Sequence, residues 1–190
     1  MVGVESLWIL YFNGSKTLEG SGVGCVLIDP KKNKNFLSCR LEFECTNNTT
    51  KYEATVQGLR KAIELKVENL KVYGDSKIIV KQIRKQIHCI SPHLKAYQNE
   101  VWDLLTNFYA FNIVSIPRLK NATANLLATS ATRLVPSNNK SSIELLFRPS
   151  VPDMITNLGV FDDDQNILEC LKNDDTFKGQ LSVMKNIRLS

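Results

Sequence analysis

From residue 37 to residue 45 apolar and polar side chains alternate without a break. Leu37, Cys39, Leu41, Phe43 and Cys45 are separated by Ser38, Arg40, Glu42 and Glu44. Alternation with a period of two places the first set on one face of a strand and the second set on the other. This stretch therefore predicts a strand with one buried face and one wet face, near a sheet edge. Two earlier segments fit beside it. Leu7 to Phe12 is apolar at every position, which predicts a strand covered on both faces, ended by Asn13-Gly14-Ser15. Val23 to Ile28 predicts a second strand, entered through the glycine-rich segment 20–24, with Asp29-Pro30 and the polar run 31–35 as the turn that follows.

After Cys45 the period changes. Thr46, Asn47 and Asn48 can each cap a helix, and Tyr52, Val56, Leu59 and Ile63 then recur at helical spacing. Beside them runs a stripe of Lys51, Thr55, Gly58 and Ala62, whose small members let a helix sit close to a sheet. Leu70 to Gly74 predicts a short strand. Asp75-Ser76 opens a second helix with Ile79, Ile83 and Ile87 inward and Lys77, Lys81, Arg84 and Lys85 outward. Residues 93–108 predict a third helix through Leu94, Tyr97, Val101 and Leu105. Phe111 to Ile116 predicts a fifth strand, and Asn121 can cap a last helix carrying Leu127, Ala131 and Leu134. Short connections make the first three strands antiparallel, and helical crossovers make the later two parallel to the first. The expected class is α/β: a mixed five-stranded sheet, three strands antiparallel and two parallel, with helices on both faces. Residues 1–135 form that domain. Residues 136–190 are expected to be a polar linker and a loosely folded tail, with a short helix near 167–171.

Composition narrows the function classes. Hydrophobic content of 43% with 23% charged residues is globular. No apolar run is long enough to span a bilayer, and the start lacks the basic segment of a secretory signal. Five cysteines without a CxxC pair argue against a zinc site or a disulfide framework and for a reducing compartment, cytosol or nucleus. His88 and His93 near Cys89 are not expected to bind metal. Residues 1–135 hold 18 Lys/Arg against 11 Asp/Glu, and residues 136–190 hold 6 against 8. A basic domain tolerates a polyanion, although the excess alone does not establish nucleic-acid binding.

Ligands gather where parallel strand ends converge, which here means Asn13, Asp75 and the start of the first helix at residue 51, with Asn125 within reach. At these points the chain resembles the RNase H domain of gypsy-class LTR retrotransposon polyproteins of plant type. The resemblance rests on Trp8-Ile-Leu-Tyr-Phe-Asn-Gly-Ser15, Leu41-Glu-Phe-Glu-Cys-Thr-Asn-Asn48, Tyr52-Glu-Ala54, Val72-Tyr-Gly-Asp-Ser76 and Ile116-Pro-Arg118, in register over roughly residues 6–134. Residues 143–178 resemble the spacer that leads towards integrase in those polyproteins. Such a resemblance implies an RNase H-like fold. It also implies hydrolysis of the RNA strand of an RNA–DNA hybrid by two Mg²⁺ ions held on four carboxylates.

The chain departs from that pattern where the metals would sit. The family has an acid at the positions of Asn13, Lys51 and Asn125, and a His at the position of Ser115; Asp75 alone keeps its carboxylate. Asp75 is thus the one expected metal ligand, and a weak one. Mg²⁺ demands oxygen ligands, preferably anionic ones. An ammonium at residue 51 opposes both the metal and the dipole of its own helix. Glu53, two residues on, faces a largely different direction and is no substitute. Gly14, Ser15, Asn47, Asn48 and Ser76 are the nucleic-acid contacts that the resemblance implies. Taken alone, Asn13-Gly14 also reads as a turn and Asp75-Ser76 as a helix cap. The expected function is a nucleic-acid-binding, catalytically degenerate RNase H-like domain with RNA–DNA hybrid or other duplex as partner. An active Mg²⁺-dependent ribonuclease H and a scaffold for protein contacts stand as the alternatives.

Overall fold

The computed structural model describes residues 6–133 and 142–152. The order is β1 (Leu7–Thr17), β2 (Gly20–Ile28), β3 (Lys34–Leu41), α1 (Asn47–Glu64), β4 (Asn69–Gly74), α2 (Lys77–Ile83), α3 (Pro92–Leu105), β5 (Ala110–Ser115), a 3-10 turn (Arg118–Asn121), α4 (Ala122–Arg133) and β6 (Ile143–Leu146). The sheet runs β5-β4-β1-β2-β3-β6. β1, β2 and β3 are antiparallel neighbours, and β4 and β5 add in parallel beside β1. That is the expected arrangement with one strand more. The addition, β6, pairs in parallel with β3, Ser38 lying opposite Ile143 and Leu41 opposite Leu146. The count of five is therefore corrected to six, and part of the segment expected to be a loose tail is sheet. Leu134 and the helix expected near 167–171 lie outside the described residues.

Helices cover both faces. Leu10, Phe12, Val23, Cys25, Cys39 and Leu41 face α1 and form the main core with Tyr52, Val56 and Leu59. The stripe of small residues on α1 brings that helix down: a Cβ on Gly58 would lie 2.9 Å from a Leu10 methyl and 3.2 Å from the Cys25 sulfur. α3 packs on α1 through Leu94, Tyr97, Val101 and Leu105, the four residues that its periodicity points inward. α4 lies on the opposite face, closer still. A Cβ on Gly24 would lie 2.2 Å from the Ala124 carbonyl oxygen. Its buried residues are accordingly Ala124, Ala128, Ala131 and Thr132; of the face the sequence predicts on Leu127, Ala131 and Leu134, Ala131 is buried and Leu127 is only half-buried.

Two further expectations change, and a third narrows to one of its candidates. β1 runs on through Asn13-Gly14-Ser15 to Thr17, because these residues pair with Gly24, Val23 and Gly22 of β2. The supposedly wet face of β3 is covered by α4. Ser38 Oγ donates to the Leu127 carbonyl at 3.1 Å, and Arg40 donates to the Thr132 carbonyl at 2.5 Å, at the end of the helix where a cation suits the dipole. Thr46, rather than Asn47 or Asn48, caps α1, accepting from the Thr49 N–H at 3.1 Å. Burial pushes the thiols of Cys39 and Cys45 up to about 12, with nearby carboxylates adding to the effect, and it raises Cys25 further. No helix among the described residues is long and apolar enough to cross a membrane.

Candidate functional site: the strand ends around Asn13 and Asp75

In the parallel register Phe12 of β1 lies opposite Gly74 of β4, and Gly74 lies opposite Ser115 of β5. Asn13 and Asp75 are each one residue further, on neighbouring strands roughly 5 Å apart. The Ile116 N–H donates to the Gly74 carbonyl at 2.9 Å and continues the row. The first turns of α1 descend onto this row at Gly14, which has no room for a side chain. A Cβ there would lie 2.2 Å from the Thr50 carbonyl carbon and 2.5 Å from the Lys51 nitrogen. Residue 51 is therefore held against the strand end that carries Asn13.

α4 closes the site from the other face. Asn121 is buried in the 3-10 turn, and its Nδ2 donates to the Phe12 carbonyl at 2.9 Å, which anchors the helix start to β1. Its side chain serves as that anchor, where the sequence predicts a cap; its Oδ1 has no partner among the described residues. One turn on, the Asn125 Oδ1 accepts from Asn13 Nδ2 at 2.9 Å. The same oxygen lies 3.4 Å from an Arg118 guanidinium nitrogen. Asn13 is 4% exposed and Asn125 is half-buried, so the pair meets water on the Asn125 side.

The fold thus brings Asn13, Lys51, Asp75 and Asn125 to one end of the sheet, with Ser115 on the adjoining strand. Gly14 and Asn48 are buried there and Asn47 is exposed. Ser76 caps α2, accepting from the Ile79 N–H at 3.4 Å. Among the described residues no group of three or more His, Cys, Asp or Glu side chains converges, at Asp75 or elsewhere. Asp75 is in no ion pair with a described residue, and neither is Lys51 nor Arg118. Arg118, the last residue of the Ile116-Pro-Arg118 motif, makes a second cation at the site. Its neighbour Pro117 and the 3-10 turn aim it, a placement that residue spacing does not reveal.

Glu53 lies elsewhere, as its helical offset from Lys51 predicts. It is fully buried on the side of α1 facing α3 and residue 150. Its carboxylate accepts from the Tyr97 hydroxyl at 2.7 Å, from Gln57 Nε2 at 2.9 Å, from the Ser150 N–H at 3.2 Å and from the Ser150 hydroxyl.

Residues 11–131 match the family described as reverse transcriptase-like. A curated relative, ribonuclease HI of Halobacterium salinarum, is 30% identical over 86 residues, covering 45% of this chain and 43% of the relative. The chain thus aligns with less than half of that protein's length. Among solved structures, the RNase H1 of the same archaeon superposes with a TM-score of 0.63 at 26% identity, covering 66% of this chain and 96% of that one. An RNase H1 isolated from compost, LC11-RNase H1, solved in complex with an RNA/DNA hybrid, gives a TM-score of 0.60 at 28% identity, covering 66% and 96%. With a match over well over half its length and this sheet order, the chain belongs to the reverse transcriptase-like family and carries an RNase H-like domain.

Proposed function

We propose that this domain binds RNA–DNA hybrid without cleaving it, and that it descends from the RNase H of a gypsy-class retrotransposon polyprotein. One observation carries the reading: the hydrogen bond from Asn13 Nδ2 to Asn125 Oδ1, at two positions where the resemblance places acids. RNase H chemistry draws on two Mg²⁺ ions, which take oxygen ligands with carboxylates among them, four in all in the family pattern. The residues here do not fit that demand. Asp75 is a single carboxylate. The Asn125 oxygen already takes an N–H from Asn13 and faces Arg118, and Lys51 adds a further cation. Two like unit charges roughly 4 Å apart repel by about 4 kcal/mol at an effective dielectric near 20, and a divalent ion doubles the charge on one side. Support for hybrid as the partner comes from the relative solved with an RNA/DNA hybrid.

A gel assay on labelled hybrid with Mg²⁺ or Mn²⁺ tests the reading. We expect binding and no cleavage from the natural chain. We expect metal-dependent cleavage from the Asn13→Asp, Lys51→Glu, Asn125→Asp triple variant, once its melting curve shows it folded. Cleavage by the natural chain that Asp75→Asn abolishes would establish an active nuclease and reject the proposal. Absence of any hybrid binding at low salt would reject it in favour of a scaffold for protein contacts.

A further inference from the structure

We infer that the strand-end site has changed the sign of its ligand: Lys51, Arg118 and the Asn13–Asn125 pair form a metal-free site for a backbone phosphate of the duplex. The inference rests on the nucleic-acid-binding reading above and adds how the site takes hold.

The argument is a count of charges and of hydrogen-bonding groups. Two permanent cations stand against one carboxylate, Asp75, and none of the three is tied up in an ion pair with a described residue. A guanidinium offers five N–H donors and an ammonium three, and neither accepts. The main acceptor that α4 brings to the site, Asn125 Oδ1, is already occupied by Asn13 and Arg118. Asn13 Nδ2 has a second N–H beyond the one it gives to Asn125. The groups left over are mostly donors, and a phosphate diester is all acceptor. Arginine in particular matches the geometry of phosphate oxygens. The close seat of α1 on Gly14 fixes the Lys51 backbone, so that on binding only its side chain has to be ordered.

This arrangement reverses the expected role of Asp75. In a metal site the carboxylate holds the cation that holds the phosphate, so removing it weakens binding. In a site for bare phosphate it is the one repelling group, so removing it strengthens binding.

Fluorescence anisotropy with a labelled RNA–DNA hybrid, using the full chain, measures this. EDTA should leave the affinity unchanged, and Mg²⁺ at constant ionic strength should not raise it. Lys51→Ala and Arg118→Ala should each weaken binding roughly three- to tenfold and each reduce the slope of log affinity against log salt by about one. Lys51→Arg should keep most of the affinity, and Lys66→Ala serves as a remote control with no effect. Asp75→Asn should tighten binding, by roughly two- to fivefold on the same electrostatic grounds. Melting curves confirm that each variant is folded. Loss of binding in EDTA, or weaker binding by folded Asp75→Asn, overturns the inference. So does unchanged affinity and slope in both Lys51→Ala and Arg118→Ala while hybrid still binds; that result leaves the hybrid-binding reading standing. Only a natural chain that binds no hybrid at all removes both.

Discussion

Lys51 and Glu53 are two residues apart on α1, yet they live in opposite surroundings. Residue 51 sits over Gly14 at the end of the sheet that carries Asn13, whose amide donates to Asn125 while Arg118 lies against the same Asn125 oxygen. Glu53 is closed off between α1, α3 and Ser150, and its two oxygens are met by donors from Tyr97, Gln57 and Ser150. The difference teaches where a helix can afford a carboxylate. A buried carboxylate is stable when several fixed N–H and O–H groups point at it. A carboxylate among other acids is stable only when a bound cation offsets the repulsion. On α1 the acid with its own donors is present, and at residue 51, where the resemblance implies an acid that depends on an ion, the chain has lysine.

The sharpest way to break this contrast is at Glu53. Glu53→Ala removes the acceptor from four donors in a dry site, and a loss of about 4 kcal/mol is expected from the urea midpoint. A loss below about 1 kcal/mol would mean that the carboxylate is no structural hub. Gly14→Ala comes next. Its Cβ would meet backbone at 2.2 Å, so α1 must lift from β1; about 3 kcal/mol is expected by thermal melting, together with weaker hybrid binding. An unshifted melting temperature would show that α1 is not seated there as described.

A smaller effect follows from the thiols beneath α1. An unfolded chain ionises cysteine near pH 8.5, whereas Cys39 and Cys45 in the fold hold their protons up to about 12. The folded state binds those protons more tightly, so their contribution is complete below pH 8.5 and is lost as pH rises towards 12. Urea midpoints measured from pH 8 to 10.5 should therefore fall, and Cys39→Ala should flatten the fall while lowering stability at pH 7. A midpoint indifferent to pH in this window would contradict the burial of these thiols. The smallest effect is on stability at the site itself. Lys51→Glu places an anion where the α1 dipole favours one and should stabilise by a few tenths of a kcal/mol, while hybrid binding falls. Destabilisation by more than about 1 kcal/mol would show that Lys51 has a packing role.

Much of the architecture was legible because it rests on local periodicity. The inward face of α3 and the small stripe of α1 are both where spacing puts them. So is the alternation of β3 on its core side, with Cys39 and Leu41 buried. Reading failed where a distant element changed the surroundings. Ser38 and Arg40 look like a solvent face until α4, some ninety residues later, lays its carbonyls over them. Leu127 looks like a core residue of α4 until glycines on β2 draw the helix so close that small residues, three alanines and Thr132, fill the contact. Residues 143–146 form too short a run to announce a strand, and they become one because β3 has a free edge in register. At the site, the positions were legible through the motifs. Arg118 was not, since its place depends on a turn rather than on a period.

By itself the sequence determined where β1 to β5 and the helices lie, and which side of α1 and α3 seeks the core, because those preferences act between residues a few positions apart. It also settled the scarcity of acids at the strand ends, since an asparagine carries no charge in any fold. Only the tertiary structure decided the pairings: Asn13 with Asn125 across 112 residues, and Glu53 with Ser150 across 97. A hydrogen bond acts over about 3 Å, and no spacing along the chain predicts which distant groups the packing of helices on a sheet will bring that close.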